Sequence, residues 1–277
     1  MALLASPYGT AVAALFGAVW GSFFNVCIVR IPEGQSIVRP ASRCPSCGAA
    51  VRPWDNVPII SYFVLRGRCR DCRAPISARY PLVEALAAAL AAGLWWKFVV
   101  ADPDQAAGIR LARFACYFAF GGALTVLAFI DLATQRLPDV ITLPAIPILF
   151  LAAFGAHQAG WLARLIGAAA GYLFFRLIAD FYYYVLKREG LGLGDGKLLA
   201  VIGAVLGWQA LPFVVFGGAM TGALISLPVA LWLRRRGGGD PNVPLRRLQI
   251  PFGPFLALAA LAYLFTGPSL LQLWLGG

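Results

Sequence analysis

Charge is scarce in this 277-residue chain: 13% of residues are charged, 60% are hydrophobic, and the mean hydropathy is +0.77. Soluble domains carry roughly 25% charged residues, so about half the usual charge is missing and an ordinary water-soluble fold is excluded. The same apolar richness excludes disorder. Histidine is represented by His157 alone. A Ser-His-Asp triad would have to use it, and no G-x-S-x-G accompanies it. H-E-x-x-H is absent, which excludes a zincin-type protease. Phosphate-cradling loops are absent too. In the glycine run Gly190–Lys197, a G-x-x-x-x-G-K-[ST] pattern would need glycine at Leu191 and a hydroxyl residue at Leu198. G-x-G-x-x-G fails there at Lys197 or, in the other register, at Asp195. No Lys or Arg precedes the first apolar stretch, unlike a cleaved signal peptide, so that stretch is expected to be a retained helix. No internal repeat is evident.

What is present is a series of long apolar runs. A helix needs ~20 such residues to cross a bilayer, and eight candidates stand out: about 9–29, 80–100, 112–130, 139–157, 162–186, 196–208, 210–233 and 252–270. The sixth is short, and Gly267-Pro268 is expected to break the eighth. The fold expected is an all-α polytopic membrane protein. The net charge of +11 then reads as basic loops on one side rather than a nucleic-acid surface. Nine arginines lie in 30–79, Arg136 follows the third span, and Lys187, Arg188 and Lys197 follow the fifth. Arg234, Arg235, Arg236, Arg246 and Arg247 follow the seventh, which makes eighteen on one side. The other side receives Arg110, Arg113 and Arg164, while Lys97 and Arg176 fall inside spans. This split assigns the 30–79 loop to the cytoplasm and both chain ends to the outside. The stretch 234–251 reads as a basic connector close to anionic headgroups.

The 30–79 loop is too short to bury much core unaided, but it carries Cys44-Pro-Ser-Cys47 and Cys69-Arg-Asp-Cys72, separated by twenty-one residues. Two such pairs read as a four-cysteine zinc site. Each pair clamps one side of a tetrahedral ion through thiolates at ~2.3 Å. Metal binding then supplies folding free energy that the loop lacks. The surrounding arginines are expected to favour the thiolate forms, and four sulfur ligands make the site structural. Disulfides are the competing arrangement, disfavoured in a reducing compartment. Cys27 and Cys116, in apolar helices, read as packing residues.

Ionisable residues in apolar segments are costly and therefore informative. Arg176 and Asp180, four apart on one helix face, read as mutually neutralising. Glu84 is expected in the first turn of the second span, where a carboxylate suits the helix N-terminus. Asp131 closes the third span in Phe129-Ile-Asp131-Leu132, and Asp195 opens the sixth in Gly190-Leu-Gly-Leu-Gly-Asp195-Gly-Lys197. The sidedness puts both at the cytoplasmic edge. Brought together, two carboxylates cannot both ionise easily, so one retains a proton and the pair is acid and base at once. The glycines beside Asp195 would let a substrate backbone approach.

The ordered motifs resemble those of the type IV prepilin peptidases. They run Trp20-Gly-Ser-Phe-Phe-Asn-Val-Cys-Ile-Val-Arg30-Ile-Pro, Cys44-Pro-Ser-Cys47, Asp55-Asn-Val-Pro58 and Gly67-Arg-Cys69-Arg-Asp-Cys72. Ile76-Ser-Ala-Arg-Tyr-Pro81-Leu-Val-Glu84, Asp131, Gly192-Leu-Gly-Asp195 and Pro251-Phe-Gly-Pro-Phe255 complete the set. The resemblance implies a bacterial inner-membrane enzyme with three parts: a first helix at 1–29, a cytoplasmic zinc-binding loop at 30–79 and an aspartyl peptidase region at 80–277. It implies Asp131 and Asp195 as the catalytic dyad, with Gly192, Gly194 and Lys197 as the supporting motif. The activity implied is cleavage of a short basic leader from type IV prepilins or secretion pseudopilins after a glycine. N-methylation of the new N-terminus from S-adenosylmethionine follows, with the cysteine loop, Gly67, Arg68 and Glu84 tied to that second reaction. Prepilins and membrane lipid are the partners implied, not nucleic acid. Two other classes compete: a transporter using the two aspartates as a proton relay, and a scaffold that docks through its zinc knot. Transport predicts internal repeats or helices broken at mid-bilayer, whereas both aspartates lie near helix ends.

Overall fold

A computed structural model describes residues 7–156, 159–186, 193–235 and 251–274. Nine α-helices are found among them, and no strand beyond two isolated β-bridges. Eight correspond to the apolar runs: α1 Pro7–Arg30, α3 Arg79–Trp95 (extended by a π-helical turn to Val100), α4 Ala107–Thr134, α5 Asp139–Ala152, α6 Trp161–Leu186, α7 Leu193–Leu206, α8 Ala210–Arg235 and α9 Gly253–Trp274. The ninth, α2, is the short Ile60–Val64 within the cysteine loop. The chain is a multi-pass membrane protein. Pro7–Arg30, Arg79–Val100, Ala107–Thr134 and Trp161–Phe181 are long and apolar enough to span, and three shorter apolar helices accompany them. Large apolar side chains such as Val12, Leu15, Leu151, Leu177, Phe216 and Leu224 stand exposed along these helices. That placement suits lipid as the surrounding solvent.

Several boundaries differ from the sequence expectation. α9 runs through Gly267-Pro268 rather than stopping there, because a proline inside an apolar helix forfeits one backbone bond without ending the helix. α7 begins three residues early and takes Asp195 into its first turn. α4 continues past Asp131 to Thr134. The basic connector falls almost wholly outside the described residues, as does His157.

The helices form two compact units, Met1–Val126 and Leu127–Gly277. In the first, α1 and α3 lie antiparallel at very short range. A Cβ on Gly17 would come within 2.3 Å of the Ala87 carbonyl oxygen, and one on Gly21 within 2.6 Å of Glu84 Cα. Gly17-x-x-x-Gly21 is thus a small-residue seam that lets two backbones touch. In the second unit, Gly167-x-x-x-Gly171 of α6 plays the same part against α7. A Cβ on Gly203 would lie 2.2 Å from the Gly167 carbonyl oxygen, and one on Gly171 would lie 2.6 Å from that of Leu199. Every residue of α7 from Leu198 to Leu206 is buried, so α7 is the centre of this unit. Neither seam was foreseen, although G-x-x-x-G in an apolar segment is a readable signal.

No residue between 31 and 78 is buried, as the length of the loop requires. Its order comes from two turns of identical pattern. The Gly48 N–H donates to the Cys44 carbonyl at 2.9 Å, and the Cys44 N–H to that of Ala49 at 2.9 Å. The Arg73 N–H donates to Cys69 at 3.1 Å, and the Cys69 N–H to Ala74 at 2.8 Å. Bridges Arg43–Ala50 and Arg68–Pro75 close the two bases. A small local repeat, Arg-Cys-x-x-Cys-x-Ala, is therefore present where none had been evident.

Candidate active site and metal centre

α4 ends where Gln135 turns left-handed (φ 53°) and its N–H caps the Asp131 carbonyl at 2.8 Å. Asp131 lies one turn before that end and is 6% exposed. α9 starts at Gly253, whose N–H is one of the donors a helix start leaves without a backbone partner. It donates to Asp131 Oδ2 at 2.9 Å. A Cβ on Gly253 would sit 2.8 Å from that same oxygen, so glycine is required there for space. Asp195 lies in the first turn of α7, where the helix dipole favours a carboxylate. The charge of Asp131 acts directly on Asp195. The two carboxylates, far apart in sequence, are electrostatic neighbours. Among the described residues nothing hydrogen-bonds the Asp195 carboxylate.

The neighbouring residues have different tasks. Lys197 Nζ reaches Asp139 Oδ1 at 2.5 Å and ties the start of α7 to the start of α5. The space that Gly194 leaves is filled by Leu137, and that beside Gly196 by the Tyr172 carbonyl and Phe175. Their smallness gives room to these packed neighbours. Gly192 lies outside the described residues. Arg176 Nε meets Asp180 Oδ2 at 2.9 Å, the neutralising pair expected from their spacing.

The cysteine loop gathers a second set of groups. The Sγ atoms of Cys44, Cys47, Cys69 and Cys72 all lie within 4.8 Å of one another. Cys44 Sγ and Cys72 Sγ are 3.8 Å apart and all four thiols are free. A tetrahedron with metal–sulfur bonds of ~2.3 Å has an edge of roughly 3.8 Å, so the four sulfurs fit a metal ion as they stand. The N–H groups of Cys47 and Ser46 bring the Cys44 thiol down to about 6. This replaces the expected arginine effect with a backbone one. Hydrogen bonding from the Ala49 N–H lowers Cys47, but Cys72, burial and Cys44 outweigh it and push Cys47 up to about 12. Arg70 grips Asp55 through Nε and Nη2, holding the Asp55 carboxyl below its usual range and pinning the second turn to Pro53–Asn56.

Gly67 is left-handed (φ 65°) beneath Tyr62, and its carbonyl accepts from Ile76 N–H at 2.7 Å. Arg68 stands at the base of the second turn. Glu84 does not occupy the first turn of α3, which opens at Arg79. It is buried, accepts from the Ser22 hydroxyl, and accepts from the Ile59 N–H at 2.7 Å. Its carboxylate joins α1, α3 and the loop. Cys27 and Cys116 are buried.

Comparison with known proteins gives these two clusters a context. Residues 15–98, which contain the cysteines, match the bacterial peptidase A24 N-terminal domain. Residues 118–227, which contain both aspartates, match the type IV leader peptidase family. A prepilin leader peptidase/N-methyltransferase of Burkholderia pseudomallei (strain 1026b) is 40% identical over 303 residues, covering all of this chain and 92% of that protein. The chain belongs to this family. Its members of the same name from Myxococcus xanthus and Pseudomonas aeruginosa are each 34% identical, covering 92% and 94% of this chain and 90% and 91% of their own lengths. No solved structure matches. As a family member the chain is an enzyme, a peptidase and a methyltransferase, and the relatives do not favour a transporter.

Proposed function

We propose that this protein cleaves the short basic leader of type IV prepilins or secretion pseudopilins after a glycine, at the cytoplasmic face of the bacterial inner membrane. It then N-methylates the exposed N-terminal residue, often phenylalanine. The observation that supports the reading is that the Asp131 charge acts on Asp195 in the first turn of α7, while the start of α9 donates to Asp131. Two neighbouring carboxylates hold one proton between them. The ionised one takes a proton from water, whose oxygen attacks the scissile carbonyl carbon. The protonated one gives its hydrogen to the carbonyl oxygen. As the tetrahedral centre collapses, the carboxyl that took the water proton gives it to the departing nitrogen, and a hydroxyl of the centre returns its proton to the other carboxylate. The C–N bond breaks to release an amine and restore the singly protonated pair. The eighteen-to-three division of Lys and Arg supports the cytoplasmic assignment.

The division of labour proposed is a first helix at 1–29, a metal-bound loop at 30–79 and a peptidase region at 80–277. Zinc suits the four-sulfur set, with a structural role. S-adenosylmethionine would supply an electrophilic methyl: the amine lone pair forms the N–C bond while the C–S pair stays on sulfur, and the surplus proton goes to solvent. Gly67, Arg68 and Glu84 belong to that half of the enzyme.

Asp131→Asn and Asp195→Asn, made singly, are expected to abolish release of the leader from a synthetic prepilin, read by mass spectrometry. Cleavage by either variant at a rate near the parent's removes the dyad.

A further inference from the structure

Within the first unit, α1, α3 and the cysteine loop border a half-open cavity of about 750 Å³. Small-molecule sites span roughly 300–1,000 Å³. Asn25 lines it and is 2% exposed. Its Nδ2 donates to the carbonyls of Gly21 at 3.2 Å and Tyr80 at 3.0 Å. Because both neighbours are acceptors, the amide must turn its NH2 to them. Oδ1 is left over, buried and without a partner. Arg79, on the same wall, has a buried and unpartnered Nε. Buried polar atoms left unpaired are rare in native proteins and call for an explanation. The other charged groups around the cavity are largely engaged: Glu84 with Ser22 and Ile59, and Asp55 with Arg70. What remains is an unpaired oxygen on Asn25 and an unpaired Nε–H on Arg79, whose guanidinium packs over the Tyr80 ring at 5.5 Å, beside the rings of Phe23 and Tyr62.

We propose that this cavity is the binding site for S-adenosylmethionine, with Asn25 and Arg79 as its polar anchors. The proposal rests on the methyltransferase reading above and deepens it by placing the donor. The ligand is a zwitterion with a flat purine. Its amino-acid end needs an acceptor for the ammonium and a cation for the carboxylate, and Asn25 Oδ1 and Arg79 Nε are the buried atoms on this wall left to supply them. The aromatic rings offer faces for the purine. Cys44 and Cys69 are on the wall, so the metal centre would hold the cavity's shape rather than touch the reacting methyl.

The test is calorimetric titration of the detergent-purified full chain with S-adenosylhomocysteine, which occupies the site without turnover. Asn25→Leu removes the orphan acceptor, and Ser61→Trp fills the cavity from a half-buried position on α2. Each is expected to weaken binding tenfold or more while size-exclusion profile and bound zinc match the parent. Should Asn25→Leu fail to fold, Ser61→Trp decides alone. Parental affinity in a folded Ser61→Trp variant, or in a folded Asn25→Leu variant, overturns the placement and leaves the methyltransferase reading standing. A parent protein that neither binds S-adenosylhomocysteine nor methylates a trimmed pilin peptide overturns that reading, and the site with it.

Discussion

Gly253→Ala isolates the contact that orients the candidate catalytic pair. The backbone N–H survives the change, but the new Cβ would lie 2.8 Å from Asp131 Oδ2 and 3.2 Å from its Cγ. An ordinary carbon–oxygen approach is roughly 3.3 Å or more, so the carboxylate has to retreat by about half an ångström. Asp131 is 6% exposed, so the retreat moves it off the 2.9 Å hydrogen bond from Gly253. A hydrogen bond to a charged group is worth about 1.5–3 kcal/mol, and each 1.4 kcal/mol is tenfold in rate. Leader cleavage is therefore expected to fall by about 10- to 150-fold. The assay is mass-spectrometric quantification of leader release from a synthetic prepilin segment at saturating concentration. Methylation of a peptide supplied without its leader serves as the control, since no residue of the cysteine loop is touched. Cleavage within twofold of the parent refutes the claim that Gly253 positions Asp131.

Replacing Cys44 and Cys72 together by serine is expected to empty the metal centre and to impair methylation more than cleavage. Elemental analysis showing parental zinc would contradict this. Gly48→Ala places a side chain at φ +72° where nothing crowds the new Cβ. Its cost is backbone strain alone, about 1–2 kcal/mol, read as easier zinc loss to a chelator. At the matching position of the other turn, Arg73→Gly (φ 61° in the parent) should shift chelator resistance the opposite way. Gly203→Ala, with its Cβ 2.2 Å from the Gly167 carbonyl oxygen, forces α6 and α7 apart. It is expected to lower the melting temperature in detergent by several degrees, and an unchanged value would show that the seam yields freely.

Much of this protein is legible without coordinates. Eight apolar runs become eight helices because a segment with no water to bond its backbone must bond internally, and that constraint is local. The cysteine pairs are legible for a related reason: two C-x-x-C turns can each be built by a handful of neighbouring residues, and only the joining of the pairs is long-range. The task of Gly253 was not legible. Its motif was visible, but that a helix start would aim an N–H at a carboxylate on another helix depends on how α4 and α9 pack. Glu84 was misread for the same reason. A carboxylate's position in its own helix says nothing of a hydroxyl on α1 or an N–H at Ile59. Periodicity and spacing determine what each segment becomes, since they act through adjacent residues and the surrounding solvent. Which buried polar atoms meet, and which are left over at Asn25 and Arg79, was decided by tertiary packing, where glycine seams bring backbones to within touching distance.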